Sequence, residues 1–82
     1  MSHHFPNGFT NWMETHHETV SFITRNADNG EIHRRRQIQG LGGLYELAQE
    51  WTDEFEALHE GREWDGDYMD ELQDFLTIKN KL

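Results

Sequence analysis

The most constraining stretch of this 82-residue chain runs from Leu44 to Leu58. Leu44, Leu47, Ala48, Trp51, Phe55 and Leu58 recur at spacings of three and four, the period of one face of an α-helix. Turned at 100° per residue, all six fall within about 60° of a common direction. Glu46, Glu50, Asp53, Glu54, Glu56 and Glu60 fill the rest of the circumference. Gly61 stands where a helix of this extent would stop. Such a stripe has to be covered by other parts of the chain, by a second copy or by a partner.

A further helix is expected over residues 65–79. Asp65 is placed as its N-cap, and Trp64 before it as a hydrophobic staple on Met69. Asp67, Asp70 and Glu71 fall in its first turns and Lys79 and Lys81 near its end, the arrangement that complements a helix dipole. Tyr68, Met69, Leu72, Phe75 and Leu76 form its apolar set. The first half of the chain admits two readings. Thr10 or Asn11 can cap a helix whose inner face is Trp12, Met13, His16, Val20 and Ile23, with Phe22 roughly 130° off that stripe. The alternative is a strand over Thr19–Thr24, turned at Asp28-Asn29-Gly30 into a second strand near Ile32–Ile38. Three consecutive arginines, Arg34-Arg35-Arg36, suit a half-buried strand poorly, so the helix is preferred.

The expected fold is therefore all-α, a compact three-helix domain with helices over 10–26, 41–60 and 65–79. A flexible segment over 1–9 precedes a single small helical domain over 10–82. The alternative is α+β, with a hairpin over residues 19–38 packed on the last two helices. The expected core is Trp12, Val20, Ile23, Leu44, Leu47, Trp51, Phe55, Leu58, Met69, Leu72 and Phe75. A chain this short buries only roughly 60% of its unfolded surface, and without cysteine it has no disulfide to help. Its large aromatics have to supply the buried area.

Charge is distributed unevenly. Sixteen Asp and Glu against seven Lys and Arg leave −9. Residues 1–40 carry four of each sign, whereas residues 41–76 carry twelve acids and only Arg62. That balance argues against direct contact with a nucleic-acid backbone. No apolar run approaches the ~20 residues of a membrane span, and the first residues do not resemble a secretory h-region. The missing cysteines also exclude thiolate metal sites.

Little in the chain promises catalysis. Glu14-x-x-His17 and Glu56-x-x-His59 have the spacing of carboxylate-bridged metal bundles, but both glutamates fall on polar helix faces. His16, the inward-facing histidine, reads as a hydrogen-bonded core-edge imidazole, and no Ser or Cys nucleophile accompanies it. His3-His4 reads as a weak surface feature. Gly40-Leu41-Gly42-Gly43 lacks the lysine and preceding strand of a phosphate loop and reads as a flexible lead into the second helix. Glu63-Trp64-Asp65-Gly66-Asp67 lacks the ligand order of a calcium loop. No catalytic, metal-binding or cofactor-binding residue is assigned, and the chain is expected not to be an enzyme. The arginine run is expected to pair with the protein's own acids or those of a second copy. What remains is the acidic surface of the last two helices. Glu46, Glu50, Asp53, Glu54, Asp67, Asp70, Glu71 and Asp74 are the candidate residues for binding an unidentified protein with a basic surface. The expected function is a non-enzymatic acidic protein-interaction module, with neither nucleic acid nor membrane as direct partner. The alternative is an inhibitor of a DNA-binding or defence protein that imitates the duplex charge array, one negative charge per ~1.7 Å. A homodimer could bury Phe5, Phe9 and Phe22, which have no evident place inside.

Gly42-Gly43-Leu44-Tyr45-Glu46-Leu47-Ala48, Thr52-Asp53-Glu54-Phe55-Glu56 and Gly61-Arg62-Glu63-Trp64-Asp65-Gly66 resemble a family of short uncharacterised acidic proteins from gut Bacteroidetes. Their genes often lie near conjugative or mobilisable elements. The resemblance spans roughly Asn11–Leu76 and carries no assigned activity, so it transfers no site residues. It implies a cytoplasmic bacterial protein and an accessory role in mobile DNA. A looser likeness to anti-CRISPR and antirestriction proteins rests on size and charge alone.

Overall fold

A computed structural model describes the chain from Pro6 to Lys81 and its side chains from Asn11 onward. Four helices occur among the described residues: α1 (Pro6–Thr15), α2 (His17–Arg25), α3 (Gly30–Leu58) and α4 (Tyr68–Lys81). No strand occurs among them, so the fold is all-α and the alternative hairpin over 19–38 does not form.

The expected linker after the first helix is itself helical. Successive side chains on a helix diverge by 100°, so three consecutive arginines can each find a different carboxylate. Arg34 pairs with Glu31 at 2.7 Å, Arg36 with Asp28 at 3.4 Å and Arg35 with Glu50 at 3.4 Å. Ile32, on the remaining side, is fully buried. A strand would have aimed two of the three cations at one face.

α3 is not one straight rod. At ~1.5 Å per residue its 29 residues would span roughly 43 Å, whereas the whole molecule measures 35 × 31 × 18 Å. Arg35 and Glu50 would also stand about 22 Å apart along a continuous axis, too far for their contact. The break is at Gly40, with φ 68° and ψ −153°, a region essentially closed to residues bearing a Cβ. Residues 30–39 therefore fold back on residues 41–58. The return brings the Arg35 and Gln39 side chains over Gly43, where a Cβ would sit 2.6 Å from that of Gln39 and 3.1 Å from Cγ of Arg35. The glycine cluster is a corner between two packed helical segments, not a flexible lead into one helix.

The expected helix over 10–26 is likewise divided. His16 leaves helical geometry (φ −113°, ψ 34°) between α1 and α2. Its ring stacks on Trp12 at 4.3 Å, and its Nδ1 lies 3.0 Å from the Trp12 carbonyl oxygen.

Of the expected core, Ile23, Leu44, Leu47, Trp51, Phe55 and Leu72 are buried, and Trp12, Val20, Met69 and Phe75 pack partly buried against them. Leu58 does not belong there, being 66% exposed. The space beyond Phe55 is filled by the rings of His59, Trp64 and Tyr68, at 4.5, 5.6 and 5.6 Å from it. Ala27, Ile32, Ala48 and Leu76 complete the core, and Phe22 packs on its edge. His3, His4 and Phe5 lie outside the described residues, as does the Phe9 side chain.

The start of α4 also differs from expectation. Asp67, not Asp65, immediately precedes the helix, and its carbonyl accepts the Glu71 N–H at 3.1 Å. The Asp65 backbone N–H instead donates to Oδ1 of Asp67 at 3.3 Å.

The two ends of the helical array are joined by a polar clasp. Asn80, buried near the end of α4, accepts the Ile32 N–H with Oδ1 at 2.8 Å. Its Nδ2 donates to Oδ1 of Asn29 at 2.6 Å. Ile32 belongs to the first turn of α3, whose N–H groups have no partner within the helix. Gly30 is required beside this clasp, because a Cβ there would overlap the Asn80 carbonyl oxygen.

Candidate functional site

The acidic side chains of α3 and α4 fall into two groups. Glu50 and Glu54 are engaged by Arg35 and by Lys79, at 3.4 and 3.0 Å. Asp67 and Glu71 share Arg62, at 2.9 and 2.6 Å. The Arg62 guanidinium also lies 4.2 Å from the centre of the Trp64 ring. Hydrogen bonding with Glu71 raises the Arg62 pKa and, within the acidic pair, lowers that of Asp67. Glu46 is half-buried and has an interaction of its own. Asp53, Asp70 and Asp74 are exposed and have no cationic partner among the described residues. Local sequence could not separate Glu50 and Glu54 from the others, because their cations come from elsewhere: Lys79 is 25 residues from Glu54, and Arg35 is 15 from Glu50.

Beside this face, a cleft of about 450 Å³ opens where the bend between α1 and α2 meets the end of α3 and the start of α4. Thr15, His16, His17, Glu18 and Thr19 form one wall, and Glu56, Tyr68 and Met69 the other. The Tyr68 hydroxyl donates to Oε2 of Glu56 at 2.6 Å. Burial, and then this bond, push the Tyr68 pKa well above its ordinary value and keep the phenol protonated. Thr19 is 1% exposed, and its Oγ1 has no hydrogen-bond partner among the described residues. Among the described residues no lysine or arginine lines this cleft. A smaller one of about 240 Å³ contains both Arg35 and Lys79 beside Glu31.

The residues of the two Glu-x-x-His pairs turn to separate partners. Nδ1 of His17 lies 3.4 Å from the Glu14 carbonyl oxygen, and Nδ1 of His59 lies 2.9 Å from that of Phe55. Glu56 serves Tyr68. Among the described residues no three His, Asp or Glu side chains converge to hold a metal ion. None of the helices described there is long and apolar enough to cross a membrane.

Sequence reasoning missed the cleft because its walls come from four elements, and no periodic pattern connects His16, Thr19, Glu56 and Met69. Helical spacing puts Glu56 on a solvated face, and it is exposed there, with Tyr68 reaching it from α4. No protein-family model, curated protein or solved structure matches the chain.

Proposed function

We propose that this chain is a non-enzymatic protein-interaction module of the bacterial cytoplasm, offering the acidic face of α3 and α4 to a protein with a basic surface. One observation carries the reading. Five of the seven Lys and Arg side chains, Arg34, Arg35, Arg36, Arg62 and Lys79, are committed to carboxylates of the same chain. Asp53, Asp70 and Asp74 are left exposed with no cation beside them among the described residues. Uncompensated charge of one sign attracts the opposite sign over roughly a Debye length, about 8 Å at physiological salt. It thereby accelerates encounter with a basic partner.

The test is salt-dependent capture by the immobilised chain, compared with the triple variant Asp53→Asn, Asp70→Asn, Asp74→Asn. A basic protein retained at low salt, released at high salt and lost in the variant is the expected result. Equal retention by the variant would remove the acidic face from the interaction. If duplex DNA competes for the captured protein, the interaction takes the DNA-mimicking form.

A further inference from the structure

We propose that the cleft at the bend between α1 and α2 receives an arginine side chain of the basic partner, an inference that rests on the interaction reading above and gives it an anchor. The first observation is the hydroxyl of Thr19. Two helical threonines of this chain satisfy theirs locally: Thr24 donates to the Val20 carbonyl and Thr77 to that of Gln73, each four residues back and at 2.8 Å. Four residues before Thr19 is Thr15, across the break at His16. Oγ1 of Thr19, in the cleft wall beside that break, is buried without a hydrogen-bond partner among the described residues. Buried polar atoms are nearly always hydrogen-bonded, so an orphaned one in the wall of a cleft offers an acceptor to the donor of a ligand seated there.

The second observation is the charge of the cleft. Glu18 and Glu56 lie on opposite walls with no lysine or arginine among the described lining residues, and the Tyr68 phenol is held protonated. Tyr68 occupies Oε2 of Glu56 and leaves Oε1 without a hydrogen-bond partner among the described residues. Met69 and the Tyr68 ring provide apolar wall for an aliphatic stem. The acceptors are therefore two carboxylates and one hydroxyl, distributed over α2 and α3. A guanidinium carries five N–H donors in a planar fork and can address several such acceptors together, whereas an ammonium is a compact, strongly hydrated point charge. Asp53 lies one turn before Glu56 on α3, so the cleft continues the unpaired acidic face.

The experiment is an amide-resolved NMR titration of the full chain with a capped Gly-Arg-Gly peptide and its citrulline counterpart, which keeps the shape and loses the charge. Saturable shifts at residues 15–19, Glu56 and Met69 with the arginine peptide alone are expected. Thr19→Val should weaken that binding several-fold while the chain stays folded. Thr52→Val is the control, because Thr52 is equally buried and unpartnered yet is not part of this cleft. Its binding should match that of the unaltered chain. Equal shifts from the citrulline peptide, unaltered binding by Thr19→Val or an undisturbed cleft would overturn the assignment. An undisturbed cleft with salt-sensitive capture intact removes the anchor and keeps the acidic-face interaction. Arginine-specific shifts with capture lost keep the guanidinium site and remove the protein partner.

Discussion

Asn80 shows how much a single side chain can hold in a small helical protein. Its Oδ1 satisfies the Ile32 N–H and its Nδ2 engages Asn29, joining positions 48 and 51 residues apart. Truncation to alanine would leave a buried donor without its acceptor, which costs about 1–3 kcal/mol. Asn80→Ala is expected to lower stability in urea by that amount. A change within about 0.5 kcal/mol, the range of an ordinary surface substitution, would show that the clasp does not form in solution. Nothing in the local sequence signals this residue. Asn near the end of a helix reads as a polar position, and its role exists only because α4 ends against the beginning of α3.

At the scale of elements, the pattern of α3 beyond Gly40 was legible and the corner was not. The stripe from Leu44 to Phe55 is buried as its period demands. Leu58 obeys the same period and is exposed, because the chain leaves the helix there and aromatic rings from the following turn take the space. Residues 30–39 carry one deeply buried apolar side chain, Ile32, too few to register as a periodic face. The glycines around the corner also have different duties, which a paired substitution separates. Gly40→Ala would place a Cβ in a backbone region that costs about 1–3 kcal/mol, although nothing lies within 4 Å to obstruct it. Gly42 has no positive φ and the same open space, so Gly42→Ala should stabilise by roughly 0.5–1 kcal/mol. Opposite shifts of the thermal midpoint are the expected outcome. Stabilisation by both would mean that the corner is not at Gly40.

For the whole molecule, the −9 charge acts against compactness. The internal ion pairs are solvent-exposed to differing degrees, and such pairs contribute about 0–1 kcal/mol each. The excess acids outweigh them, so raising the ionic strength at neutral pH is expected to raise the melting temperature through screening of self-repulsion. A falling melting temperature would show that the ion pairs dominate.

The sequence by itself determined that the second half of the chain is helical, where its central apolar stripe lies and that its charge is concentrated there. These are short-range properties, written in spacings of three and four and in composition. Only the tertiary structure decided which acids keep their charge uncompensated, where the helices turn and what the bend at His16 encloses. Those outcomes depend on side chains brought together across as many as 51 residues of chain. Helical periodicity fixes the face on which a residue lies, but not which residue it meets.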